Sequence, residues 1–335
     1  MKKRGKGMAA AFYGTGYGNG FPDVSTAKVQ MNNRGQVSVC IGATEVGQGA
    51  KTILTQIAAE VLGLEMKDIR LLCEDTDTSP DAGTAAASRQ TYNSGNAVKK
   101  AAEALKNILL ERAQKHLELP SAHGLAVEDR QVYLKAYPKK RVHFRELVGE
   151  EPIRVEASFV AQTTPVDEET GAGAPYWPYT FCCYGVEVEV DTETGIVEVV
   201  RGVCAQDVGR AINPELIEGQ IDGGFAMGLG YGLMEDLHLV QGEIKHNRFA
   251  NYLIPTALDM PELEKMIIED PESTGPFGAK GIGEPVMIPV APAILNAIYD
   301  AIGIRFYEIP VTPEKILAAI RKRKKEGNCG NDFER

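Results

Sequence analysis

Two stretches of this chain share one outline, and that outline limits the fold more than any residue count. In the first, residues 28–31 and 36–41 flank the turn Asn32-Asn33-Arg34-Gly35. In the second, residues 184–190 and 196–203 flank Asp191-Thr192-Glu193-Thr194-Gly195. Alternating apolar and polar residues around a Gly-ended turn predict a β-hairpin in each. A polar, glycine-containing loop and a helix follow both times. The first helix is expected over residues 50–62, with Ile53, Leu54, Ile57, Ala58, Val61 and Leu62 as its buried stripe and Gly63 as its stop. The second starts at Asn213-Pro214, an N-cap and a first-turn proline, and runs through Ile217, Ile221 and Phe225. A strand is expected next in each half, near residues 69–73 and near residues 231–239. A long helix then closes each half, over residues 95–116 and over residues 290–302, the latter ended by Gly303.

The prediction is an α+β fold of two structurally similar lobes, each a mixed β-sheet built hairpin–helix–strand–helix and covered by helices. Residues 1–150 make the first lobe, 151–320 the second, and 321–335 a polar, frayed tail. Residues 118–180 are less regular, with 163–178 read as a connecting loop. The last helix takes Thr312 as N-cap and Pro313 as its first residue. The basic run Arg321-Lys322-Arg323-Lys324-Lys325 reads as cations solvated at its C-terminal end, with fraying after Gly327.

Composition narrows the function classes. The 335 residues carry a formal charge of −10, which argues against nucleic acid or an anionic membrane surface as the main partner. Lys2, Lys3 and Arg4 resemble the basic end of a signal peptide, but the apolar run after them is too short before Gly14, Gly16 and Gly18. No run approaches a membrane span. Cys40, Cys73, Cys182, Cys183, Cys204 and Cys329 form no CxxC pair. No metal-ligand spacing is present, and reduced thiols in a cytoplasmic protein are the simplest reading.

Glycine is in excess, at 35 residues, about one in ten. Four loops hold much of that surplus: residues 42–49, 83–91, 218–224 and 278–285. Glycines at a helix N-terminus expose N–H groups at the positive end of the dipole, which holds a phosphate without a basic protein. Gln48, Gln90 and Gln220 each donate and accept, which suits a heterocycle carrying both functions. Ser88 and Arg89 add a hydroxyl and a charge. Residues 14–20 do not match G-x-G-x-x-G, and Gln48 stands where a P-loop would need lysine. The spacing of Gly224 and Gly228 points to close helix packing. Glu284, between Gly283 and Pro285, is expected to be rigid and partly desolvated, which raises a carboxylate's pKa and suits a general base; a helix-capping role stays open beside it. The five histidines are scattered and carry no assigned chemistry.

Four segments together carry a resemblance: GATEVGQGAKTILTQIAAEVLG (42–63), DTDTSPDAGTAAASRQTYNSGNAV (75–98), GVEVEVDTETGIVEVVRGVCAQDVGRAINPELIEGQIDGG (185–224) and GAKGIGEP (278–285). In that order they resemble the molybdopterin-binding subunit of the xanthine dehydrogenase/aldehyde oxidase family, over about residues 4–320. The likeness covers the C-terminal half of such a subunit, as in a split form like the medium molybdopterin subunit of nicotinate dehydrogenase. The resemblance implies a molybdenum hydroxylase acting on a small molecule, an N-heterocycle, with oxygen drawn from water. An aldehyde oxidoreductase, a reductive aromatic thioester dehydroxylase or a non-catalytic cofactor-holding subunit are the alternatives. It implies molybdopterin, in its cytosine dinucleotide form, with Mo. Gly47, Gln48, Gly49, Ala87, Ser88, Arg89, Gln90, Gln220 and Gly283 would hold the cofactor, and Glu284 would be the catalytic base. No residue would ligate the metal directly. A large molybdopterin subunit would complete the site, and electrons would leave through [2Fe–2S] and FAD partner subunits. Gln206 departs from the family pattern, standing where many relatives have histidine.

Overall fold

The computed structural model describes residues 1–18, 21–73 and 75–329. In chain order the elements are β1 (Lys2–Gly14), β2 (Val24–Met31), β3 (Val37–Ile41), α1 (Ala50–Leu62), β4 (Ile69–Leu72) and α2 (Gly95–His116). Then come β5 (Leu125–Glu128), β6 (Gln131–Leu134), β7 (Tyr137–His143), α3 (Phe144–Val148), β8 (Ile153–Val160), β9 (Tyr179–Asp191) and β10 (Val197–Asp207). Last are α4 (Pro214–Leu233), β11 (Leu239–Val240), β12 (Glu243–Ile244), β13 (Glu262–Ile268), α5 (Val290–Ile302) and α6 (Pro313–Cys329).

The fold is α+β and the doubled outline is real. One four-stranded sheet runs β4-β3-β2-β8 and the other β13-β10-β9-β1. In each, an antiparallel hairpin leads through a crossover helix, α1 or α4, to a parallel strand, β4 or β13. The hairpin alternation places Val29 and Val39 in one core and Val186, Val188 and Val190 in the other. Helices α1 and α2 cover the first sheet, and α4 and α5 the second. Gly63 ends α1 with φ 60°, a left-handed stop that costs glycine little. Asn213 Oδ1 caps α4 by accepting from Leu216 N at 3.1 Å.

Four expectations change. Sheet membership does not follow a division at residue 150. Strand β1 pairs with β9 along its whole length, Lys2 opposite Asp191 and Gly14 opposite Tyr179. Its Lys2 and Arg4 meet Glu189, while Gly5 and Gly7 lie under α5. Strand β8, from beyond residue 150, instead completes the first sheet beside β2.

The strand expected near residues 231–239 does not form there; only Leu239 of that range joins a strand, the two-residue β11. Phe225, Leu229 and Leu233 are buried at helical spacing, so α4 continues to Leu233. Gly224 and Gly228 bring α4 against Val286 and Val290, where a Cβ would lie 2.4 and 2.5 Å from those side chains. The parallel strand is β13, about thirty residues later. Residues 118–180 also hold more order than expected, with the small sheet β5-β6-β7, α3 and β8. Finally, the basic run lies on the last helix as expected, but it is not wholly solvated. Arg323 donates to the carbonyls of Ile302 and Gly303 at 2.7 and 3.1 Å, closing the C-terminus of α5. Residues 330–335, the end of the expected tail, lie outside the described residues.

The contact of β1 with α5 is testable. A Cβ at Gly7 would sit 2.2 Å from Ala293 O and Ala297 N, backbone atoms that cannot step aside. Gly7→Ala is expected to lower stability by about 1–3 kcal/mol, read as a fall in urea midpoint. At Gly223, on the open side of α4, a Cβ would meet nothing within 4 Å. Gly223→Ala is therefore expected to raise stability by about 1 kcal/mol.

Candidate functional site

Loops from both lobes converge on one cavity of about 440 Å³, lined among others by Gln48, Ser88, Arg89, Gln90, Gln220, Gly283 and Glu284. That volume lies in the range of small-molecule sites. Gly47, Gly49 and Ala87 stand beside these residues, and their backbone N–H groups already donate to carboxylates of this chain.

The loop after β4 carries its own distortion. Ala87 and Ser88 both adopt the left-handed region, at φ 55° and 53°, which is uncommon for residues with a Cβ. Gln90–Ser94 then form a π-helical turn leading into α2. Such turns recur at functional sites. The loop of residues 278–285 comes so close that a Cβ at Gly281 would lie 1.7 Å from Ser88 O. Only glycine permits that approach.

Glu284 is held across this seam. Ser88 Oγ donates to Glu284 Oε2 at 2.6 Å and accepts from Glu284 N at 2.9 Å. Tyr13, from the end of β1, also donates to Oε2. Ala87 N donates to Oε1 at 3.3 Å. Burial, followed by donation to the Glu284 carboxylate, pushes the Tyr13 hydroxyl far above its ordinary value. Glu284 is therefore rigid, as expected, but it is exposed rather than desolvated, because among the described residues nothing packs over the Gly283–Glu284 edge. Spacing gives no sign of Tyr13 as a site residue. It lies 271 positions from Glu284 and meets it only through the pairing of β1.

Arg89 has a different task from the one expected. It is fully buried, and its Nε donates to Asp23 Oδ1 at 2.6 Å. Nη1 donates to Ala82 O at 2.5 Å and Nη2 to Val24 O at 2.7 Å. With Tyr17 stacked at 4.7 Å, the guanidinium is spent inside the first lobe. It anchors the loop that lines the cavity. A second buried ion pair does the same opposite: Lys280 Nζ donates to Asp207 Oδ2 at 2.8 Å. Gln206 is buried beside it and donates to Asp207 O at 2.9 Å.

The loop of residues 42–49 holds an anion of its own. Glu45 Oε1 accepts from Gly47 N and Gly49 N at 2.8 and 3.0 Å, and Oε2 accepts from Lys51 N at 3.0 Å. The N–H groups expected to hold a phosphate thus hold this carboxylate. The available signal is a glutamate just before a helix start. Gln48 Nε2 donates to Thr44 O at 3.0 Å and to Gln90 Oε1 at 2.5 Å, tying the two loops together. Gln220, on α4, makes no hydrogen bond through its amide among the described residues, and it faces the same cavity.

Three comparisons bear on this arrangement. A family model for the molybdopterin cofactor-binding domain matches residues 1–261. The chain is similar to the putative xanthine dehydrogenase molybdenum-binding subunit of Escherichia coli, 32% identical over 330 residues, spanning 94% of this chain and 42% of that protein. It is also similar to the nicotine 6-hydroxylase large subunit of Paenarthrobacter nicotinovorans, at 32% identity, 88% of this chain and 37% of the relative. Among solved structures, quinoline 2-oxidoreductase from Pseudomonas putida 86 superposes with a TM-score of 0.80 at 27% identity, over 96% of this chain and 42% of that one. The chain thus spans less than half the length of each.

Two substitutions test the anchors. Removing Arg89 leaves Asp23 buried without its cation, so Arg89→Met is expected to cost about 3–5 kcal/mol in urea unfolding. For Glu45, burial pushes its pKa up, but the N–H groups of Lys51, Gly49 and Gly47 outweigh it and hold the carboxyl below its ordinary 4.5. A depressed folded value means the stabilisation is present above that ordinary value and is lost as pH falls through the folded one. Glu45→Gln is expected to cost about 1 kcal/mol at pH 7, with the difference from the parent vanishing in unfolding curves taken at progressively lower pH.

Proposed function

This chain belongs to the molybdopterin cofactor-binding family, within the xanthine dehydrogenase group, and we propose that it is the cofactor-holding and base-bearing portion of a molybdenum hydroxylase acting on a nitrogen heterocycle. The observation that carries this reading is the seam itself: a carboxylate fixed by Ser88 and Tyr13 on the wall of a ligand-sized cavity shared by both lobes.

The residues fit molybdopterin, taken here in its cytosine dinucleotide form. Gln220 offers an unspent amide to a donor–acceptor ring, and Gln48 and Gln90 present a prearranged pair beside it. Backbone of residues 86–90 and Gly283 would flank the remainder. When bound, the cofactor supplies two-electron redox chemistry, with the inserted oxygen drawn from water. The protein's part is to position and to move a proton. Oε2 of Glu284 is fixed by two hydroxyl donors, so Oε1, held by one long bond from Ala87 N, is the atom free to accept a proton. Ser88 and Tyr13 keep the carboxylate aimed while that proton arrives.

Support for the substrate class comes from relatives named for nicotine and quinoline, both nitrogen heterocycles. Because the chain spans 42% of the Escherichia coli relative, a larger molybdopterin-binding polypeptide is proposed to complete the pocket. [2Fe–2S] and FAD subunits are proposed to take the electrons away. Buried thiols, such as Cys204 pushed up to about 12 by burial, suit the reducing interior of a cell.

In the assembled enzyme, Glu284→Gln is expected to lower kcat by about 10²–10⁴-fold while molybdenum and pterin content stay at the parent level. Unchanged turnover would remove Glu284 from the reaction.

A further inference from the structure

The two lobes repeat one architecture, so each is a control for the other. In both sheets one face is covered by helices and the other faces out. On the outer face of the first sheet, Gln30 stands opposite Ser38 and Arg154, Lys28 opposite Glu156, and Thr26 opposite Ser158. That face is polar through its centre, where Lys28–Glu156 and Thr26–Ser158 are paired across it, and turns apolar at Val24 opposite Val160 and at Cys40 opposite Leu72.

The matching face of the second sheet is graded. At one end, Arg4 and Lys6 stand opposite Glu189 and Glu187, joined by ion pairs and continued by Arg201 with Glu264. At the other end the rows turn apolar. Phe12 lies opposite Phe181, at 69% and 56% exposure. Ala10, Cys183, Ala205 and Met266 form the next row across all four strands. Small side chains in the middle and large ones at the margins leave a trough of about 450 Å³, bordered by Phe12, Phe181 and Ile268. The corresponding end of the first sheet carries Val24 opposite Val160 and Cys40 opposite Leu72, so both sheets are apolar there, and the second differs in its exposed aromatic pair. Exposed apolar surface rimmed by polar residues marks an interaction site.

We propose that this trough is where the larger molybdopterin-binding polypeptide docks, setting an apolar side chain between Phe12 and Phe181. The proposal rests on the functional reading above. Its occupant follows from length: more than half of the quinoline 2-oxidoreductase chain lies outside the part matched here, and the proposed larger polypeptide would supply that remainder. Position agrees. The trough sits at the same end of β1 as Tyr13, whose hydroxyl reaches Glu284. A polypeptide seated there ends beside the exposed edge of the site.

Cys183 is a built-in reporter, half-exposed in the trough while Cys40, Cys182 and Cys204 are buried. The chain is co-expressed with the larger polypeptide, purified as the molybdenum-containing complex and treated with iodoacetamide, with labelled peptides identified by mass. Cys183 is expected to react at least tenfold more slowly in the complex than in the isolated chain. Ala205→Arg, which puts a cation in the trough, is expected to abolish co-purification while the isolated variant keeps the parent's Tm. Gln30→Arg, on the first lobe's polar face, is expected to leave assembly intact. Equal labelling of Cys183 in complex and isolated chain overturns the proposal, and this measurement stands even if Ala205→Arg does not fold. A concentration-dependent dimer of the isolated chain that Ala205→Arg abolishes, with the complex unaffected, assigns the face to a second copy instead. If the parent chain joins no molybdenum-containing complex, the functional reading falls together with this proposal. If it assembles and Cys183 stays open, this proposal alone falls.

Discussion

The site depends on one backbone contact, the approach of Gly281 to Ser88. Any side chain at position 281 would drive into the Ser88 carbonyl. That carbonyl points where it does because Ala87 and Ser88 hold positive φ angles. Such a conformation costs of order 1–3 kcal/mol per residue and persists only where surrounding structure over-determines it. Here the surroundings are two buried ion pairs. Arg89–Asp23 fastens one loop to its lobe and Lys280–Asp207 fastens the other. Buried pairs of this kind are weak sources of net stability but strong determinants of geometry, because breaking either strands a charge in the interior. The strain at Ser88 and the anchors on both sides form a single device. Its product is a hydroxyl that can serve the Glu284 carboxylate and the Glu284 amide at once.

The same economy explains how a chain of charge −10 can offer a place to an anionic cofactor. Glycine loops do expose backbone donors, but the first of them, at the start of α1, are spent on Glu45. That carboxylate orders the loop from within. Its neighbours Gln48 and Gln90 are likewise tied to each other and to Thr44 before any ligand arrives. The cavity is therefore preorganised, with few groups left to be immobilised on binding, which spares the entropic cost of ordering them. Gln220, on the regular helix α4, is held by its backbone, and its amide faces the cavity with no hydrogen bond among the described residues.

Much of the local structure is legible in the residues. The bounds of α1, α2 and α5 follow from apolar spacing and terminal glycines, because those signals act within a turn or two of helix. Both hairpins are legible for the same reason. What spacing hides is non-local. Strand β1 reads as an apolar run broken by glycines, and its role appears only when Gly5 and Gly7 are seen against α5. Strand β13 alternates charge with hydrophobics on an edge, a weaker signal than the apolar continuation of α4, which reads as a strand. At the site, residue type is informative and environment is not. Glu284 and Ser88 stand out by kind and context. That Arg89 faces inward, that Tyr13 is near, and that Glu45 occupies the helix terminus are facts of burial and distance, which spacing does not encode.

The exchange of outer strands has a consequence for function. Each sheet is completed by a strand from the other side of residue 150: β8 joins the first and β1 the second. Neither lobe is therefore a separable unit, and the second sheet is incomplete until the start of the chain has returned across nearly two hundred residues. Such pairing carries a high loop-closure cost, met only when the sheet and α5 are ready to receive it. Tyr13 ends that strand. The hydroxyl that fixes Glu284 is thus delivered by a long-range pairing in the molecule, so the carboxylate is correctly held only when both sheets are whole. Integrity of the fold and the setting of the Glu284 carboxylate are coupled through one strand, which places that carboxylate under the control of structure far from it in sequence.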